Sequence, residues 1–483
     1  MSTNVEAAPV LHSGRSLLAS AGWMTGSNLV AQAFAYGSLV LLARWLSPAN
    51  FGTVAVASAL VSIGVLFVDR GTWGSVIVER RLDRTSLARS FRRCMAMGLV
   101  LAAAMAAASG LVVRHFAAGG LPGAVATIAL CLPLHGIAVV PTALLQRSMQ
   151  FRRIAGINGV ANVTSALIAV VMALGGAGVW ALVARQLVLF GLVGALSAAL
   201  CLPALRSHAP ITAEPAPART GVGAEWWFFS FPVIYAVTCS LDKLVVGLFS
   251  SAAVVGLYSI AATIAMAPWT QFSAQAGQVL FAASASDPES FAERTEQSAR
   301  LMSLLMLPIL PLGILLAPVV LPAVLGAKWE PVVPVFQVLL VVGVGNAIVN
   351  CIAEPLTGKG FMPFRTRVML AQSLATAAAL FVLVPIGGIR GAAWAQLLVF
   401  VPYAAIYFTA GARRMDTTGR ALLRGIRPAV AVLTLQVVVS SAVLLGLIGL
   451  GTSTGPAACW AAMAGLIAAA PLLVRAVAGM RSS

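Results

Sequence analysis

AGVWALVARQLVLFGLVGALSAALCL, residues 177–202, carries a single charge, Arg185, and no proline. At about 1.5 Å per helical residue, such a run outreaches the roughly 30 Å hydrocarbon core of a bilayer. It shows no period-two alternation, so it reads as a membrane helix and not as a barrel strand. Stretches of the same kind fill the chain. Of its 483 residues 60% are hydrophobic and 9% charged, and the mean hydropathy is +0.96. Those values exclude a water-soluble enzyme or binding domain.

Apolar runs between charge clusters and Gly/Pro breaks predict an all-α integral membrane protein of about fourteen transmembrane helices. They fall near 16–45, 51–69, 94–115, 121–146, 154–174 and 177–202, then 225–249, 253–282, 298–322, 331–354, 366–386, 389–411, 427–449 and 456–477. The first is too long for the apolar core of a cleaved leader and is expected to be retained. The expected division is an N-terminal six-helix bundle at 1–202, a cytoplasmic linker at 203–224 rich in proline, a C-terminal six-helix bundle at 225–411, and helices 13 and 14 at 412–483. Assigning the joints alternately to two sides leaves only Arg44, Arg114, Lys328 and Arg390 on one of them. The Arg-rich side is therefore expected to be cytoplasmic, with both termini there. That asymmetry accounts for most of the +17 net charge without nucleic acid.

An internal repeat supports the two bundles. Met149-Gln150-Phe151-Arg152 recurs as Met362-Pro363-Phe364-Arg365, and Gly175 to Trp180 with Gln186-Leu187 recurs near Gly387 to Trp394 with Gln396-Leu397. Six helices lie between the copies, so both halves share one orientation and are expected to flank a cavity.

Five helices carry polar residues at helical spacing. These are Asn28, Gln32 and Tyr36; Asn158, Asn162 and Ser165; Tyr235, Thr238 and Asp242; Gln271, Gln275 and Gln278; and Asn346, Asn350 and Glu354. Amides and hydroxyls both donate and accept, as polyhydroxylated ligands do. Singly, each row could equally be hydrogen-bonded glue between helices; together they suggest one wet lumen. Charges within spans are costly and usually face a cavity. Arg185 and Asp242 are the leading lumen candidates, and an Arg185–Asp242 or Lys243–Asp242 ion pair that only locks packing is the bland alternative. Arg185 would suit a diphosphate through its bidentate fork. Arg44, Asp69 and Arg70 lie near helix ends as gate or structural charges.

His135 reads as a packing histidine, Trp226-Trp227 as an interface anchor, and Pro268, Pro308, Pro311 and Pro318 as bends. The six cysteines are scattered in apolar sequence, so neither disulfides nor a metal site is expected. No Walker A motif and no catalytic constellation is present, and the outer joints are too short to build a transferase or polymerase site.

Gly22-Trp23, Leu41-Leu42-Ala43-Arg44-Trp45-Leu46-Ser47-Pro48, Phe51-Gly52 and Asp69-Arg70-Gly71 resemble the polysaccharide transporter family of Wzx-type oligosaccharide flippases. So do Gln146-Arg147 with Phe151-Arg152-Arg153, Gly178-Val179-Trp180-Ala181-Leu182, Asp242 to Gly247 and Gly256-Leu257-Tyr258. The resemblance covers residues 16–411. It implies the multidrug/oligosaccharidyl-lipid/polysaccharide exporter fold and alternating access. The implied substrate is an undecaprenyl-pyrophosphate-linked oligosaccharide bound for O-antigen, capsule or exopolysaccharide in the bacterial inner membrane. It further implies no catalysis and no cofactor, a proton or sodium gradient as drive with Asp242 and Glu354 as coupling candidates, and a polysaccharide polymerase and export machinery as partners. The rival readings are a drug/cation antiporter of the same superfamily, disfavoured because helix 1 lacks an acid, and a lipid II flippase.

Overall fold

The computed structural model describes residues 32, 34–69, 72, 76, 81–82, 84–116, 121–148, 150–206, 211–212, 224–267, 270, 291–415, 417–450 and 454–481. Apart from one two-residue antiparallel pair, Arg81–Leu82 with Ile211–Thr212, its regular structure is helical. After helical residues 34–45 come α1 (Pro48–Asp69), α2 (Arg84–Ala107), α3 (Ser109–Phe116), α4 (Pro122–Ile128), α5 (Cys131–Arg147), α6 (Phe151–Leu174) and α7 (Val179–Arg206). The second part of the chain holds α8 (Ala224–Phe249), α9 (Ala252–Ala265), α10 (Phe291–Met306), α11 (Ile309–Leu325), α12 (Val332–Gly358), α13 (Met362–Ile406), α14 (Gly419–Gly449) and α15 (Thr454–Arg481). Among the described residues eleven helical stretches, some of them interrupted, are long and apolar enough to cross a membrane.

Proline explains several interruptions. Pro133 has no N–H to give to the carbonyl of Ala129, so the chain turns at residues 129–130 between α4 and α5, with Leu132 bonding to Ala129 instead at 3.0 Å. Pro308 and Pro311 likewise separate α10 from α11, as expected, whereas Pro318 and Pro322 sit inside a continuous α11. Pro268 lies outside the described residues. α13 contains the joint expected at 387–388 as a single non-helical residue, Gly388, with φ 55° and ψ −134°. A Cβ on Gly391 would lie 2.0 Å from the carbonyl oxygen of Leu383. Eight residues of straight helix span about 12 Å, so the chain reverses here and α13 is two antiparallel legs.

Two boundaries differ from expectation. α2 starts at Arg84, not near 94, so Arg89, Arg92 and Arg93 extend the helix; hydropathy is blind to a helix that leaves the hydrocarbon, while arginine is a good helix former. α7 runs to Arg206, past Pro203, into the stretch expected as a tether.

α5 and α6 pack on α7, α2 on α5, α8 and α12 on α13, and α9 on α12. α14 and α15 pair with each other and lean on α10 and α11. They keep a broad apolar exterior, with Leu445 71% and Ile467 67% exposed, as a lipid-solvated surface requires. The first and second parts of the chain meet where α1 packs on α8 and α9. A Cβ on Gly52 would fall 1.7 Å from the Ala252 carbonyl oxygen, and one on Gly256 1.9 Å from that of Pro48. A Cβ on Gly247 would fall 2.1 Å from the Phe116 carbonyl oxygen. All three contacts lie at the Arg-poor helix ends, so the molecule is shut there.

Candidate functional site

A cavity of about 250 Å³ lies among α5, α6 and α7, lined by His135, Ala138, Asn158, Asn162, Leu189, Phe190 and Val193. A second, of about 80 Å³, lies among α1, α4, α5 and α7, with Ser58, Ser62, Cys131 and Gln186 in its wall. Phe190 lines both. Asn158 and Asn162 both line the larger one, since one helical turn puts both amides on one face. That cavity lies within the first part of the chain, however, and not between the two halves. Asn162 donates to the Asn158 carbonyl at 2.9 Å, and the Asn162 carbonyl accepts from Ser165 Oγ at 3.0 Å.

His135, read from the sequence as a packing histidine, also lines that cavity. Its Nε2 stands 3.4 Å from Asp69 Oδ1, and its ring meets Phe190 edge-on with centroids 6.0 Å apart. Arg185 lies one turn along α7 from Leu189, on the same helical face, about 9 Å in from the start of the helix. It is half-buried and makes no hydrogen bond or ion pair among the described residues. An unpartnered guanidinium within an apolar span must find water or an anion.

Asp242 is buried on α8 and is held from both sides. Oδ1 accepts the Lys243 backbone N–H at 2.8 Å, and Oδ2 accepts the Tyr258 hydroxyl of α9 at 3.0 Å. It forms no ion pair with Arg185 or Lys243. Tyr258 also meets Gln396 of α13, while Gln186 of α7 donates to Ser58 Oγ of α1 at 2.9 Å. The two repeat-related glutamines thus do the same work, each bonding a hydroxyl on the helix that crosses the midline.

Glu354 is clamped by Arg365 in a bidentate pair of 3.1 and 2.6 Å, and Arg365 also donates to Thr357 Oγ1 at 2.6 Å. The guanidinium sits 4.5 Å above the Phe231 ring. Sequence reading counted Arg365 as a joint cation; it is only 8% exposed. The missed signal was Glu354 itself, since an acid within a span needs a nearby cation. Asn346 and Asn350, on the same row, are half-buried and make no side-chain hydrogen bond among the described residues. Gln32 is half-buried. Asn28, Arg70, Gln271 and Gln275 lie outside the described residues. Trp227 stacks under Arg367 at 5.4 Å, at the Arg-rich end where an interface anchor belongs.

At the Arg-poor end Arg44 and Lys328 reach across the midline to backbone carbonyls. Partial desolvation there lowers the Lys328 pKa from its ordinary value.

The geometry can be set beside known proteins. The model of the family described as "Polysaccharide biosynthesis protein" matches residues 41–334, more than half of the chain. The lipopolysaccharide biosynthesis protein WzxC of Escherichia coli (strain K12) is 21% identical over 356 residues, covering 71% of this chain and 70% of that protein. The succinoglycan biosynthesis transport protein ExoT of Rhizobium meliloti (strain 1021) is 26% identical over 174 residues, 36% of this chain, and the match spans 35% of that relative's length. Among solved structures, lipid II flippase MurJ in an inward closed conformation aligns with a TM-score of 0.68 at 11% identity, covering 93% of this chain and 97% of that one. At that identity the likeness speaks for the fold alone, a MurJ-like helical transporter fold. Together with the apolar helices, these matches place the chain in the polysaccharide biosynthesis protein family, as a multi-pass membrane protein among transporters and flippases.

Proposed function

We propose that this protein flips an undecaprenyl-pyrophosphate-linked oligosaccharide outward across the bacterial cytoplasmic membrane by alternating access, for O-antigen, capsule or exopolysaccharide assembly. The observation that carries the proposal is Arg185, an unpaired, half-buried guanidinium one turn from a cavity walled by His135, Asn158 and Asn162. Amides and imidazole can exchange hydrogen bonds with sugar hydroxyls, and Phe190 offers an aromatic wall. At about 250 Å³ the cavity is below the range of whole-ligand pockets, so it takes part of the headgroup while the diphosphate meets Arg185. The lipid tail stays in the bilayer, and no bond is made or broken.

The Arg-rich side is the cytoplasmic one in this reading, and the shut Arg-poor end marks a state ready to load from within. A proton or sodium gradient supplies the drive. Glu354 is already neutralised by Arg365, which leaves Asp242 as the better coupling candidate of the two named acids.

Cells carrying Arg185→Ala should accumulate undecaprenyl-linked oligosaccharide in the inner leaflet and lose surface glycan, with normal amounts of the protein in the membrane. Arg185→Lys should recover only part, because an ammonium cannot form the two-pronged contact. Normal surface glycan in Arg185→Ala cells would overturn the proposal.

A further inference from the structure

Only four cations are assigned to the Arg-poor side, and two of them touch backbone and not acids. Helical residues 34–45 and α11 both end at this face, each with its last carbonyls unsatisfied and the negative end of its dipole outward. Arg44, at the end of the first, donates from Nε to the Val324 carbonyl at 2.8 Å and from Nη2 to the Ala323 carbonyl at 2.7 Å, both in the last turn of α11. In return Lys328, just past α11, donates from Nζ to the carbonyls of Arg44 at 2.9 Å and Leu46 at 2.8 Å. Trp329 Nε1 adds a bond to the Ala43 carbonyl at 2.9 Å; its ring is fully buried and edge-on to Phe51 at 5.4 Å. Each helix end is therefore capped by side chains from the opposite part of the chain.

We infer that this crossed capping by Arg44, Lys328 and Trp329 is a latch that holds the outer mouth shut and has to break before the substrate is released outward. Carbonyls at a helix end accept from water as readily as from a side chain, so the bonds can be exchanged for hydration when the two parts separate. A pair of buried opposite charges would resist that exchange, because separation would strand them. The closely packed Gly52 and Gly256 crossing sits directly beside the latch, so parting the helices and unlatching are one motion. The inference rests on the alternating-access reading above.

The test measures the mouth itself. Spin labels at Leu121→Cys and Ile386→Cys, exposed sites at Arg-poor helix ends of the two parts, report its width in the full-length protein in lipid nanodiscs, with Cys239 and Cys459 replaced by serine. The unaltered latch should give mainly one short separation. Lys328→Met keeps the aliphatic stem and Trp329→Phe keeps a ring against Phe51, so both remove donors with little loss of packing. Each should move the main population to longer separations, while Lys328→Arg should hold it short. Unchanged separations in Lys328→Met and in folded Trp329→Phe would overturn the latch, whatever happens to export. Wider separations in the latch variants together with normal surface glycan in Arg185→Ala cells would uphold the latch and sink the flippase reading.

Discussion

Glu354 shows how a single side chain changes meaning once its neighbour is seen. In isolation it is an acid inside a membrane span; in place, both its oxygens are taken by Arg365, which also bonds Thr357 and lies on Phe231. Removing one partner of such a pair leaves an uncompensated buried charge, at a cost of about 3–5 kcal/mol, whereas removing both is far milder. Arg365→Met should therefore lower the thermal unfolding temperature of the purified protein markedly, and the Glu354→Gln, Arg365→Met double variant should regain much of the loss. If the double variant is as unstable as the sum of the singles, the pair is not the coupled unit described. Asp242 differs, because its hydrogen-bond partners are a hydroxyl and a backbone N–H and it forms no ion pair with a described cation.

Among the elements, the α1–α9 crossing is the tightest. The Phe51-Gly52 and Gly256-Leu257-Tyr258 motifs supply its two glycines, and a Cβ at either would overlap a carbonyl oxygen of the facing helix. Non-bonded carbon and oxygen need more than 3 Å, so Gly52→Ala must push the helices apart by over an ångström. Overpacking of this kind costs roughly 1–3 kcal/mol, and the loss should appear as a lower unfolding temperature and a wider outer mouth. No change in either would mean that α1 and α9 do not cross this closely. The peripheral α14–α15 pair is tied on by different means. Gln436 donates to the Pro308 carbonyl at 3.2 Å in the break between α10 and α11, Arg300 donates to the Ala476 carbonyl at 3.2 Å, and Thr417 bonds Glu296. Intramembrane hydrogen bonds of this sort contribute about 0.6 kcal/mol on average, so the pair is held by several small terms and by packing around Leu304 and Val432.

For the whole molecule, the proposed alternating access and the contact of the two parts at the Arg-poor end together imply that the cavity is reached from the Arg-rich side. Asn158 is exposed and lies two turns from the Arg-rich end of α6. Asn158→Cys should accordingly react with a membrane-impermeant maleimide faster in inside-out vesicles than in intact spheroplasts. Equal or reversed rates would show that the orientation drawn from the arginines, or the closed end, is wrong.

Fold class followed from sequence because a span in lipid must satisfy its own backbone, and only long apolar helices such as 177–202 do so. The bias of Arg and Lys between the joints, the asparagine row of α6 and the turn at Gly388 were legible for the same local reason: each depends on spacing along one element. Residues that act across elements were not. Arg44 was read as a gate or structural charge but without its partner, Lys328 as one of four stray cations, His135 as packing and Arg365 as part of a basic joint. The carbonyls, cavity and carboxylate that give them a role come from helices tens or hundreds of residues away. A sequence records which groups are costly to leave unpaired in a membrane; only the packed bundle decides which partner each one meets.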